Sequence, residues 1–317
     1  MSSDSIRAER VPQSAPAAAQ QGEHPLTGIL YALAAYGWWG FAAIYFKIVK
    51  AVAPLEILAH RIVWSLVMLA ILITVMRRWR PIGHVIRSRK TLLWLTASTV
   101  LIAGNWYTYI WAVTRNHMID ASLGYFINPL VSVYLGYLFY AERLRPWEKV
   151  SIALAAIAVT WLTFSAGVFP WVAIILALSF GLYGLVRKKA GVASIEALTI
   201  ETAILLPAAG AYLFWLQSRG ALSFGDSTRL DAWLVAAGPI TALPLLWFAG
   251  AVRRLRLATI GLMQYIAPTI QFILAVAIYH EPFGGQRMIA FVLIWIAVAI
   301  FSIDNVRRMR SAGRASA

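Results

Sequence analysis

The sequence predicts an all-α integral membrane protein: ten transmembrane helices, arranged as two inverted five-helix repeats (5+5), with both termini cytoplasmic. Three observations carry this reading. Apolar residues make up 61% of the 317 and charged residues only 13%, about half of the ~25% usual in globular domains. Ten apolar stretches are each long enough to cross a ~30 Å hydrocarbon layer as a helix. Finally, a shift of 139 positions lays the second half of the chain over the first.

The elements follow in order. Residues 1–25, with SAPAAAQQGEHP, hold no apolar core for a cleavable signal and read as a disordered tail. The first span, 26–46, is therefore an uncleaved one. The second, 55–76, opens with EILAHR, a carboxylate, an imidazole and a guanidinium at the head of an apolar run. Spans 92–113, 119–139 and 147–165 complete a first repeat over 26–166. Spans 169–186, 195–216, 232–252, 257–279 and 288–306 make a second over 167–306, and 307–317 is a basic tail. Sorting the 28 Lys and Arg residues between alternate connections tests the number of spans, because cytoplasmic loops hold the basic excess. With the N-terminus inside, 21 fall on the cytoplasmic side and six opposite, with Arg61 inside a span.

The repeat is legible residue by residue. Ala112, Arg115, Leu123, Ile127, Pro129, Tyr140 and Glu142 recur as Ala251, Arg254, Leu262, Ile266, Pro268, Tyr279 and Glu281. With slightly larger offsets, Gly37 and Gly40 match Gly181 and Gly184, and Glu56 matches Glu196. An odd number of crossings per unit makes the second unit enter from the opposite side, giving a pseudo-two-fold axis in the membrane plane. Inverted repeats suit carriers, since two copies facing opposite ways supply inward-open and outward-open states of similar energy.

With its five-plus-five helices, the Pro129/Pro268 and Glu142/Glu281 pairs, and the stretches EILAHR and ALTIET, the chain resembles the RarD group of the drug/metabolite transporter superfamily, built from EamA domains. The resemblance covers about residues 26–306. It implies a multi-pass permease of the bacterial cytoplasmic (inner) membrane that moves a small metabolite or drug-like molecule, with export favoured over import or exchange. It does not supply the substrate.

Polar residues inside the spans mark the candidate pathway. Ser122, Tyr125, Pro129, Ser132 and Gly136 share one helical face, and the shift carries them to Gly261, Gln264, Pro268, Gln271 and Ala275. Each proline leaves the carbonyl four residues earlier without its helical donor, so both helices are expected to kink toward protein or water. Close packing accounts for the small residues of the face; Tyr125, Gln264 and Gln271 are too large for that and join the substrate-binding candidates. Asn105, Tyr109 and Asn128 add polar groups and Trp39 an aromatic wall. Arg61 completes the set, because an ionisable residue within a span faces a bundle interior or water. The symmetry places Glu201 opposite Arg61; the guanidinium is expected to hold a substrate carboxylate or an internal counter-ion, while Glu201 or His60 carries a proton in exchange. Glu56 and Glu196 read as interfacial anchors, and Glu142 and Glu281 as residues holding the following loop.

The excluded classes are as informative. A charge of +15 in a soluble protein would suggest nucleic acid, but here it lies in short clusters at helix ends, so no nucleic-acid partner is expected. With no cysteine, there is no disulfide or thiolate site. No HExxH, GxSxG, P-loop or acidic metal motif occurs, so no catalytic residue, metal or cofactor is expected. The expected partners are a small-molecule substrate, protons in exchange, and the lipid bilayer around a monomer or homodimer.

Overall fold

A computed structural model describes residues 25–315 apart from 141, 142, 166, 168, 253 and 256. Glu142 and residues 1–24 lie outside the described residues. The long helices are α1 (Pro25–Ile48), α2 (Pro54–Val75), α4 (Arg89–Thr114), α5 (Met118–Tyr140), α6 (Pro146–Ser165), α7 (Trp171–Ala190), α8 (Ser194–Ser218), α9 (Thr228–Val252) and α12 (Gln286–Ala315). Proline opens α1, α2 and α6, where its missing N–H costs nothing. The Ser88 hydroxyl caps α4 through Thr91 N, and Gly191, in the left-handed region at φ 64°, ends α7.

Among the described residues, nine helical segments are long and apolar enough to cross a membrane. The tenth expected span corresponds to α4, which is 26 residues long. Its mean hydropathy suffers because the face it buries carries Ser98, Thr99, Asn105, Thr108 and Thr114. We call the end of the bundle bearing Pro25 the near end and the other the far end. Alternation through ten crossings brings Glu56 and Ser223 to the far end, and Arg78 and Glu196 to the near end. Both pairs are in contact, as that alternation requires.

Packing obeys the predicted pseudo-two-fold. Exchanging the repeats turns the α1·α9 contact into α7·α4, that of α1 with α11 (Ile266–Ile273) into α7·α5, and α2·α9 into α8·α4, while α2·α8 and α6·α12 map onto themselves. Every one of these interfaces is present, so each repeat buries its polar faces against the other. Close approach fixes the geometry in two places. A Cβ on Gly238 of α9 would overlap the Trp64 carbonyl of α2, and one on Gly124 of α5 would meet the Ala173 carbonyl of α7 at 2.8 Å.

Three features depart from the expectation. The basic 77–91 connection contains an amphipathic helix, α3 (Trp79–Arg87), whose Ile82 is buried while Arg80 and Arg87 are exposed. The two prolines also behave differently. Helix α5 runs unbroken through Pro129, whereas the ninth span is interrupted at Gln264 and Tyr265, separating α10 (Leu257–Met263) from α11 (Ile266–Ile273) ahead of Pro268. A turn of wide π-helix over Leu274–Ile278 then follows α11, and Glu281 N bonds back to the Ala275 carbonyl at 2.9 Å.

Candidate functional site

Arg61 lies two turns into α2, about 10 Å below the far end at ~1.5 Å per residue. It points inward. Its Nε donates to Thr241 Oγ1 of α9 at 3.0 Å, and the guanidinium sits 4.2 Å from the Trp106 ring centroid and 5.9 Å from that of Phe46. The hydroxyls of Tyr45, Tyr109 and Tyr125 are within electrostatic reach. Side chains of α1, α4, α5 and α9 therefore enclose it, yet it retains accessible surface. The Gly238–Trp64 contact, one turn from Thr241 on α9 and from Arg61 on α2, draws these two helices close enough for the Arg61–Thr241 bond.

The aromatic wall is ordered by its own edges. Tyr109 meets Phe46 and Tyr125 edge to face, each at 5.7 Å, an arrangement favoured by ring quadrupoles. Tyr125 donates to Asn105 Oδ1 at 3.4 Å, while Asn105 Nδ2 donates to the Leu176 carbonyl and to Ser179 Oγ. The amide of Asn105 is thus occupied in joining α4 to α7, and it connects to the aromatic cluster around Arg61 only through Tyr125. The Tyr45 and Tyr109 hydroxyls are buried without a hydrogen-bond partner.

The other candidates are dispersed. Asn128 Oδ1 accepts from Ser132 one turn on in α5. Gln271 Nε2 donates to the Trp39 carbonyl at 3.2 Å, fastening α11 to α1, with its Oε1 left unpartnered. Trp39 packs against Tyr36 and Phe248 in a separate small cluster. Gln264 stands at the break in the ninth span. His60 stacks on Phe224 at 5.2 Å, 4.0 Å from Glu56, at the far end and above Arg61.

Glu201 is not the counter-ion of Arg61. It is wholly buried two turns into α8 from the near end, where Ser98 Oγ and Tyr183 donate to it at 2.5 and 3.2 Å, and Arg187 lies 3.7 Å away. The symmetry-equivalent positions are entered from opposite faces, so they sit at different depths and each takes its own surroundings. Nothing in the sequence singles out Arg187 or Tyr183 for this role, which depends on α7 packing against α4.

Glu56 and Glu196 are both 2% exposed, so they are not anchors in the headgroup layer. Glu56 accepts from Ser223 N at 2.7 Å and Ser223 Oγ at 3.0 Å. Glu196 pairs with Arg78 Nε at 2.6 Å. Each carboxylate heads the second helix of its own repeat and holds the connection that follows the second helix of the other. Two reciprocal ties thus close the α2·α8 crossing at opposite ends. Glu281 likewise works across the repeats: it accepts from the N–H groups of Met118 and Ile119 at the start of α5, and lies 3.5 Å from Lys47, which also reaches Asn116.

A hollow of about 350 Å³ lies on the flank of α6, lined by Ile157, Trp161 and Phe164 among others. Its lining is uncharged and comes from one helix, which suits a lipid chain better than a solute.

Residues 26–164 match the family model described as the EamA-like transporter family. An "Uncharacterized transporter" of Vibrio cholerae is 48% identical, the match covering 91% of this chain and 96% of the relative. "Protein RarD" of Escherichia coli K12 is 44% identical, over 89% and 96% respectively. A crystallised protein of 20% identity superposes with a TM-score of 0.54, covering 89% of this chain and 98% of the other; at that identity the likeness is one of fold.

Proposed function

The chain belongs to the EamA-like transporter family, in its RarD group, and is a multi-pass membrane transporter; we propose that it is a secondary active carrier exporting a small organic molecule by alternating access. The observation supporting alternating access is the pair of reciprocal ties, Glu56–Ser223 and Glu196–Arg78, one at each end of the crossing between α2 and α8. A carrier must open one end while the other stays shut. Two ties in corresponding places, related by the pseudo-two-fold, let either end be held while the other opens.

Between the ties lies the solute compartment, with Arg61 as its charged floor and Trp106, Phe46, Tyr109 and Tyr125 as its walls. Glu201 is the residue to carry a coupling proton. It faces inward at the opposite third of the bundle, and gain or loss of its proton would remake its bonds to Ser98, Tyr183 and Arg187. That rearrangement links α8 to α4 and α7, the helices that surround the near-end path. His60, stacked at the far end, is the less suitable proton carrier. Gln271 and Asn105 act by holding helices together. Asn128, Gln264 and Trp39 stand apart from Arg61 and have no part in its surroundings.

The test uses vesicles containing the purified protein, loaded with a mixture of amino acids, nucleosides and phenicols, with a proton gradient imposed. Mass spectrometry of the released solutes is expected to find at least one that leaves faster from wild-type vesicles than from Arg61→Leu or Glu201→Gln vesicles, all three proteins being inserted to the same extent. Identical release profiles would dismiss the assignment of both residues. Vesicles of opposite protein orientation read the direction.

A further inference from the structure

Among the described residues the embedded charges other than Arg61 are answered, Glu56 by the N–H and hydroxyl of Ser223 and the rest by an opposite charge. Glu201 has Arg187, Glu196 has Arg78, and Lys47 has Glu281. Arg61 has no carboxylate within ion-pair distance among the described residues, and its one hydrogen bond, to Thr241, uses Nε and leaves both terminal nitrogens free. A guanidinium inside a membrane bundle is costly unless something answers its charge. Two further groups nearby are also unanswered: the buried hydroxyls of Tyr45 and Tyr109.

We propose that the Arg61 compartment binds a small organic monocarboxylate bearing a flat, apolar group. This rests on the reading of the compartment as the transported solute's site. The two free nitrogens form a planar fork that matches a carboxylate bidentately. The carboxylate's remaining lone pairs supply acceptors for the two unpartnered phenols, so one ligand group satisfies all three orphaned donors. A single cation is neutralised by a single anion, and a second carboxylate would be left unpaired in a low-dielectric site. The flat group is assigned by the walls: the faces and edges of Trp106, Phe46, Tyr109 and Tyr125 receive planar apolar surface. A neutral isostere would leave the guanidinium and both hydroxyls as they stand.

The experiment measures binding to the protein in lipid nanodiscs by intrinsic tryptophan fluorescence and thermal unfolding. The probes are benzoate and indole-3-acetate, each paired with its neutral amide, benzamide and indole-3-acetamide. Carboxylates are expected to bind at least about tenfold more tightly than the matching amides, the scale of a hydrogen bond to a charged group. Arg61→Leu is expected to erase that preference, and Arg61→Lys to restore part of it. Tyr109→Phe keeps the ring, and is expected to weaken the carboxylates several-fold while leaving the amides unchanged; it serves if Arg61→Leu fails to fold. Equal binding of acids and amides by wild type, or a preference that survives Arg61→Leu, overturns the proposal. Vesicle flux separates it from the transport reading. Carboxylate preference without carboxylate flux keeps the ligand class and sinks transport through this site, whereas Arg61-dependent flux of neutral solutes alone does the reverse.

Discussion

If the two ties hold opposite ends shut, cutting one should bias the carrier toward opening at that end. Glu56→Gln keeps the shape of the side chain and one carbonyl acceptor, but removes the charge and one of the two acceptors that receive Ser223 N and Oγ at 2.7 and 3.0 Å. A hydrogen bond to a charged group contributes about 1.5–3 kcal/mol, and ~1.4 kcal/mol is a factor of ten in an equilibrium. The far-open to near-open ratio should therefore rise by about 10- to 100-fold. Glu196→Gln should act in the opposite direction and less strongly. The Arg78 side chain is 34% exposed, so water takes over part of the lost interaction, and about 1 kcal/mol, or about fivefold, is expected. The chain has no cysteine, which provides a clean background for labelling. Cysteine at Thr241, beside Arg61, reports on the compartment, and its rate of reaction with a membrane-impermeant maleimide from each side of oriented vesicles reads which end is open. Glu56→Gln should speed labelling from the far side and slow it from the near side, Glu196→Gln should do the reverse, and the double variant should fall between. If both variants change labelling from both sides in the same sense, the ties are fold supports and not gates.

Three other perturbations have distinct readouts. Gly238→Ala drives a methyl into the Trp64 carbonyl and should cost about 1–3 kcal/mol, seen as a lower unfolding temperature, and should break the Arg61–Thr241 bond; an unchanged unfolding temperature would show that the α2·α9 contact yields easily. Glu281→Gln removes the charge that caps Met118 and Ile119 and faces Lys47, so it should destabilise by about 2 kcal/mol, measurable as faster proteolysis at the start of α5, while Lys47→Met in addition should restore part of the loss. Tyr183→Phe deletes one donor to Glu201 without altering packing, and should shift the pH dependence of flux while leaving solute affinity at the Arg61 compartment unchanged; a change in affinity alone would place Tyr183 in the solute path.

Much of the fold could be read from the chain because the bilayer imposes one-dimensional rules. The length of an apolar run fixes a crossing, basic residues sort to alternate connections, and a duplicated segment with an odd number of crossings must invert. The helix α4 shows the limit of such rules. Its polar face lowers its hydropathy, but only the packing shows how that polarity is satisfied: Ser98 donates to Glu201 of α8 and Asn105 to Leu176 and Ser179 of α7, while Thr99, Thr108 and Thr114 bond back to carbonyls of α4 itself. Likewise, a proline marks a backbone bond that must be lost, but not whether the helix breaks there: α5 continues through Pro129, while the ninth span is interrupted before Pro268.

Which embedded charge meets which partner was settled only in three dimensions. The sequence symmetry set Arg61 against Glu201, but helices entering from opposite faces carry equivalent positions to different depths. Arg61 therefore lies among aromatic rings with Thr241, while Glu201 lies with Arg187, Ser98 and Tyr183. Similarly, Glu56 and Glu196 could be recognised as a symmetric pair, but Ser223 and Arg78 could not be named as their partners. Burial in lipid is a property of a segment and can be summed along the chain. Pairing of charges depends on distances between segments remote in sequence, and only the packing of one repeat into the other sets those.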